Sequence, residues 1–184
     1  MAGDTHKPAK TRTRQTRDWI IASFNRLVLR RKYSDISVAE LVERAGVGRS
    51  TFYEHFDHKD DVLRSAVRVI LEPMAQLVRE DAGLAGVVAV IEHVREHNAA
   101  AMAMLQGEAR MQLEQALGEL VVAQLSRAGH GYSPTALPLM GAQIACAQLG
   151  LLRAWLGSPA PACAAAELAG LMHTSTRAMV AAVR

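Results

Sequence analysis

Two short helical segments separated by a three-residue turn restrict the fold of this chain more than any other feature. Residues 37–40, with the sequence SVAE, form a capping box: the Ser37 oxygen accepts from the Glu40 amide while the Glu40 carboxylate reaches back. The helix must end at Gly46, because glycine readily adopts the left-handed conformation found at helix ends. A second short helix follows over residues 49–56, so the chain contains a helix-turn-helix pattern.

The remaining sequence predicts further helices and no strand. Hydrophobic residues make up 50% of the 184 residues, but aromatic residues only 4%, and the apolar residues are mostly types that favour helix over sheet. Ile20, Phe24 and Leu27 recur at the spacing of one helical face, in a segment that begins near Arg12. We predict an all-α fold of about nine helices, with an N-terminal three-helix helix-turn-helix domain and a C-terminal helical domain.

Charge is distributed unevenly between the two ends of the chain. Residues 1–56 have a net charge of +5, whereas residues 57–184 have a net charge of −2. A basic head on a slightly acidic body suggests a polyanionic partner, although a solubilising basic tail would give the same pattern. We expect a disordered basic arm at residues 1–11, a helix-turn-helix DNA-binding domain at 12–58 and a larger helical body at 59–184.

Neither a secretion signal nor a membrane span is predicted. The first residues contain no apolar stretch of the kind that a signal peptide needs. The most apolar segment, residues 134–152, contains two prolines and two glutamines, which disfavours a membrane-spanning helix. Cys146 and Cys163 form no metal-binding or disulfide pattern. We therefore expect a cytoplasmic protein with no cofactor, no metal and no membrane contact.

A helix that binds in the DNA major groove needs an apolar side that packs on the protein and a polar side that faces the bases, and the segment at residues 49–56 has both. Phe52 and Phe56 are four residues apart and can seat the helix on the protein, while polar side chains face outward. Arg49 can donate two parallel hydrogen bonds to a guanine, and Thr51 can contact a thymine methyl group. Each side chain could also be an ordinary solvated surface group. The predicted DNA-contacting residues, several of them through phosphates, are Ser37, Arg49, Ser50, Thr51, Tyr53, His55 and Lys59.

Residues 36–63 resemble the DNA-binding domain of TetR-type regulators. The resemblance rests on the spacing of the motifs AGV, STFY and HF and of the Lys and Leu that follow, and it is strong over residues 12–65. Ala39 stands where some members contact a base, so the operator sequence stays open. In that family DNA contacts are common at the positions of Thr51, Tyr53, His55 and Lys59, and the position of Arg49 often reads a base.

The resemblance also implies the function of the body. It predicts that residues 59–184 bind a small-molecule effector and form a homodimer. The chain would then be a sequence-specific DNA-binding transcriptional regulator and not an enzyme: a repressor released from a palindromic operator by its ligand. Candidate pocket residues, of which the methionines could equally be plain core, are Met74, Leu77, His93, His97, Met102, Met104, Met111, Met140 and Gln143.

The predicted dimer interface lies on the last two helices. Small residues such as Gly141 and Gly150 would let a partner helix approach closely. The larger anchors could instead belong to the core of one chain. They are Leu149, Leu152, Trp155, Leu156, Leu168, Leu171, Met172 and Met179.

Two other functions remain possible at this stage. The segment from His93 to His97 fits the H-x-x-E-H pattern of zinc peptidases, with Glu96 as general base, which would make the chain a zinc-dependent hydrolase. No clear third metal ligand accompanies this short motif. The chain could also use the fold for protein contacts only, without binding DNA.

Overall fold

The computed structural model describes residues 7–129, 131–158 and 163–182. Within these ranges the chain forms nine α-helices and two 3₁₀ turns, with no strand, which confirms the predicted all-α class. The 3₁₀ turns are Tyr33–Asp35 and Gln76–Val78. The helices are α1 (Lys7–Val28), α2 (Val38–Ala45), α3 (Arg49–Tyr53), α4 (Lys59–Ala75), α5 (Ala85–Glu96), α6 (Asn98–Gln106), α7 (Ala109–Arg127), α8 (Ala136–Leu156) and α9 (Ala165–Ala181).

The chain divides into two compact units, residues 1–66 and 67–184. Because α4 begins at Lys59 and continues past this division, the division falls inside a helix rather than in a linker. Helix α1 begins at Lys7, five residues before the predicted start, so the expected disordered arm is helical from that residue onward. The rest of that arm, residues 1–6, lies outside the described residues.

The first unit is built around α2, whose two ends are set by local hydrogen bonds. The Ser37 side chain accepts from the Glu40 amide at 3.2 Å, as predicted. Gly46 ends the helix in the left-handed region at φ 65°. The Glu40 carboxylate does not take its predicted place in the capping box, since it is bound by Arg31 at 2.9 Å and by Arg44 at 3.4 Å. A guanidinium binds a carboxylate more strongly than a neutral amide does, which explains the difference.

Helices α7 and α8 pack closely against each other in the second unit. They meet at Gly118 and Gly141, both of which are buried. A Cβ atom built on Gly141 would lie 2.7 Å from the Gly118 carbonyl oxygen and 2.6 Å from Cγ2 of Val122. Gly141, predicted to face a partner chain, therefore faces α7 of its own chain instead.

Helix α8 is long and apolar enough to cross a membrane by length and composition. Half of its most apolar window is buried inside the protein, as in the core helix of a helical bundle. Its buried residues include the polar Gln148, whose amide group donates hydrogen bonds to Met74 of α4 and Thr176 of α9.

Candidate nucleic-acid interface

Two phenylalanines, Phe52 within α3 and Phe56 three residues after its end, anchor this segment to the protein. Phe52 is fully buried and Phe56 nearly so, and their ring centroids lie 5.8 Å apart. The Arg17 guanidinium from α1 lies 5.0 Å from the centre of the Phe56 ring and donates to the Ser65 hydroxyl at 2.7 Å. Arg17 thus links the Phe56 ring to Ser65 of α4.

The opposite side of α3 is open. Arg49 and Ser50 are exposed, half of the Tyr53 surface is accessible, and Thr51 and His55 are partly exposed. Within the described part of the chain, the Arg49 guanidinium forms no ion pair, so its donors are available to an acidic partner. This geometry matches what an α-helix needs to read base edges from the major groove.

Ser37 lies at the start of α2 and is exposed. Its oxygen already accepts a hydrogen bond from the Glu40 amide, but the hydroxyl still has one hydrogen to donate. Ser37 can therefore cap α2 and donate to a phosphate at the same time.

Lys59, which was predicted to contact DNA phosphates, binds backbone carbonyls of its own chain in this structure. Its ammonium donates to the carbonyl oxygens of Tyr33 at 3.1 Å, Ile36 at 3.2 Å and Ser34 at 3.5 Å, and lies 4.4 Å from the centre of the Tyr33 ring. The number of these acceptors matches the three hydrogens of an ammonium group. Lys59 thus fastens the start of α4 to the 3₁₀ turn, a role that depends on tertiary structure and that a sequence motif does not reveal.

Replacing Lys59 with methionine tests this role. Methionine keeps the length of the side chain but removes its donors, so we expect the protein to lose about 2 kcal/mol of unfolding free energy, the scale of a charged hydrogen bond. Urea denaturation followed by circular dichroism measures the change. The matched control is Lys32→Met, which removes the same charge from an exposed position and should cost less than about 0.5 kcal/mol. Weakened DNA binding with unchanged stability in Lys59→Met would contradict the structural role.

Comparison with known proteins agrees with this arrangement. The family described as bacterial regulatory proteins, tetR family, matches residues 20–66, a range that contains the whole of α2 and α3. Residues 20–66 therefore form a DNA-binding domain of the TetR type, as the sequence resemblance predicted. A domain of this type supports a function in DNA-binding transcriptional regulation. A search of curated proteins gave no match.

Solved structures of TetR-family regulators share the fold along most of the chain. The regulator from Streptococcus agalactiae 2603V is 20% identical, with 91% of this chain and 97% of that chain covered and a TM-score of 0.56. A regulator from Streptomyces coelicolor is 20% identical, with 91% and 83% covered and a TM-score of 0.52. The repressor FadR from Thermus thermophilus, solved with lauroyl-CoA, is 20% identical, with 87% and 92% covered and a TM-score of 0.52.

The residues predicted to line an effector pocket differ widely in their burial within the second unit. Met111, with 69% of its surface exposed, lines an open groove of about 570 Å³ between α7 and α8, together with Val122, Ala142 and Cys146. A methionine on a helix has the same sequence pattern whether it faces core, groove or solvent, so the pattern could not separate them. Met74, Leu77 and Met140 are buried, Met102 and Met104 are partly exposed, and His93, His97 and Gln143 are exposed.

Most residues predicted for the dimer interface belong to the core of the single chain. A side chain buried in its own chain has little surface left for a partner. Trp155, for example, donates its indole N–H to the Cys163 carbonyl at 2.9 Å. Only Leu171 is exposed, at 52%, and Met179 is partly exposed. The buried ones are Leu149, Leu152, Trp155, Leu156, Leu168 and Met172.

One polar residue of the body was missed from the sequence. Gln148 is 1% exposed, and its side-chain nitrogen donates to the Thr176 hydroxyl at 3.0 Å and the Met74 carbonyl at 3.3 Å. Its oxygen, Oε1, has no donor among the described residues. A glutamine within an apolar helical pattern is the available sequence signal, but glutamine is also common on exposed faces, as Gln143 on the same helix demonstrates.

Proposed function

We propose that this protein is a sequence-specific DNA-binding repressor that acts as a cytoplasmic homodimer on a palindromic operator. The observation that carries the proposal is the open face of α3, where Arg49, Ser50 and Tyr53 are exposed above two buried phenylalanines. The net charge of +5 on residues 1–56 supports binding to a polyanion. A five-residue helix can contact few bases, so a dimer that reads two half-sites gains specificity by adding their free energies.

Selection of duplexes from a random DNA pool by the full-length protein tests this proposal. We expect a palindromic sequence to be enriched, and its affinity to fall steeply between about 50 and 200 mM salt as phosphate contacts release counterions. Gel-shift or anisotropy titration of the enriched duplex measures both. A protein that enriches no sequence and binds no duplex at low salt would instead favour the use of this fold for protein contacts alone.

We further propose that a small molecule bound in the second unit lowers operator affinity. A ligand can do this only if it binds one conformation of the protein more tightly than another. Two features support such coupling. The first is that helix α4 continues from Lys59 in the first unit to Ala75 in the second. The second is the buried side-chain oxygen of Gln148, which has no donor among the described residues and belongs to an amide group that binds Met74. A ligand with a hydrogen-bond donor would satisfy that acceptor.

Gln148→Leu should abolish the response to an effector while keeping operator binding. Lauroyl-CoA, which the FadR structure contains, is the first probe. We expect it to weaken operator binding by the parent protein by about tenfold, a usual size for such coupling. Operator binding by Gln148→Leu should not change when the probe is added.

Gln143→Leu is the matched control, because it makes the same change at an exposed position of the same helix. It should respond as the parent does. An unchanged response in Gln148→Leu, or a lost response in Gln143→Leu, would contradict the role of Gln148. A probe without effect on the parent would exclude lauroyl-CoA as the effector while leaving the DNA-binding proposal to its own test.

A further inference from the structure

The end of α5 brings together three potential metal ligands that DNA binding does not use. His93 and His97 are four residues apart, so they share one face of the helix, and Glu96 lies within the same turn. Ligand atoms of the three side chains all lie within 4.8 Å of one another. The two imidazole rings stand edge to face with their centroids 4.9 Å apart.

These three side chains are not committed to other partners. All are exposed, and within the described ranges none forms a hydrogen bond or ion pair through its side chain. Arg95 is the basic side chain closest to them in sequence, and its guanidinium lies 5.8 Å from the centre of the Trp155 ring. That contact directs the positive charge toward α8, so it is not paired with the Glu96 carboxylate.

The backbone that carries the ligands is held on both sides. The His97 amide donates to the His93 carbonyl at 3.3 Å, which closes the last turn of α5. Asn98, the first residue of α6, donates from its side chain to the Leu156 carbonyl at 3.3 Å. Ligand atoms that each lie about 2.1 Å from one ion are about 3 to 3.5 Å from one another. The ligand atoms here lie within 4.8 Å of one another, so side-chain movements of roughly 1 Å would complete the site.

We propose that His93, Glu96 and His97 form a surface site for a divalent transition-metal ion of the Zn²⁺ class. Imidazole nitrogens favour such ions, whereas Mg²⁺ and Ca²⁺ favour oxygen ligands. Three protein ligands leave at least one coordination position for water. Because Glu96 serves as a ligand here, it is not the general base of a hydrolase. The bound ion ties the last turn of α5 together beside its junction with α6.

Calorimetric titration of ZnCl₂ into chelator-treated protein that has no affinity tag tests the site. We expect one ion per chain, a Zn²⁺-dependent rise in Tm because the ion binds the folded state, and no effect of MgCl₂. His93→Ala should weaken binding by about a hundredfold, since losing even an outer partner of a metal site costs 10- to 100-fold. Circular dichroism verifies that this exposed substitution leaves the fold intact.

Comparing Glu96→Gln with Glu92→Gln separates the loss of a metal ligand from the loss of a negative surface charge. Both remove one exposed carboxylate from α5, but only Glu96→Gln should weaken Zn²⁺ binding. Equal weakening by the two variants would overturn the proposal. So would unchanged binding in a His93→Ala/His97→Ala double variant, which would place the ion elsewhere. One ion per two chains would overturn a site completed within a single chain.

Discussion

Arg49→Ala is expected to remove most of the sequence-specific DNA binding of this protein. The guanidinium is exposed at the start of α3 and forms no ion pair among the described residues. A bidentate arginine–guanine contact contributes about 1 to 3 kcal/mol of discrimination. A dimer loses two such contacts, about 2 to 6 kcal/mol, so affinity for the selected operator should fall by about 30-fold to 20,000-fold. Anisotropy titration at fixed salt measures the loss.

Arg68→Ala is the control for the loss of charge. Arg68 is an exposed arginine of α4 that pairs only with Glu72 among the described residues, at 2.7 Å. Removing it should change operator affinity by less than about threefold, because it has no proposed base contact and exposed ion pairs contribute little. If Arg49→Ala weakened binding to selected and random duplexes equally, Arg49 would be a phosphate contact and the base-reading role would be wrong.

The second large effect is expected at the crossing of α7 and α8. Gly141→Leu places a side chain where a single Cβ atom would already lie 2.7 Å from a backbone oxygen of Gly118. A backbone atom cannot rotate away as a side chain can, so the two helices must separate. We expect a loss of about 3 kcal/mol of unfolding free energy or more, the upper range for overpacked cores. Urea denaturation at constant protein concentration measures it, since dimerisation would make stability depend on concentration.

Gly150→Ala provides a control on the same helix. A Cβ atom on Gly150 would have no neighbour within 4 Å. Alanine also favours helix over glycine, so this variant should gain about 0.5 to 1 kcal/mol. Stability unchanged by Gly141→Leu would mean that the close approach of α7 and α8 does not exist in solution.

The helix-turn-helix could be predicted because its determinants are local. The Ser37 cap, the left-handed Gly46 and the four-residue spacing of Phe52 and Phe56 depend on neighbours within a few positions along the chain. Such features have the same meaning in any fold. For this reason the sequence also predicted the helical class and the outward face of α3, and the motif pattern that these residues form is the one that the TetR family shares.

The sites of the second unit could not be predicted in the same way, because they depend on which helix faces which. Apolar positions on α8 have the same periodicity whether they face α7, α9 or a partner chain, so Leu149 and Leu152 were assigned to an interface although they are buried in the core. Lys59 likewise has its three carbonyl acceptors about 25 positions away in the sequence.

By itself, the sequence determined that this chain is helical, that it contains a helix-turn-helix, and which residues of α3 face outward. Local capping and spacing are sufficient for these. Only the tertiary structure decided that Gly141 serves a contact within one chain, that Gln148 is buried, and that Lys59 binds backbone carbonyls. The physical reason is that burial and long-range hydrogen bonds are properties of packed helices, and one amphipathic pattern is compatible with several ways of packing them.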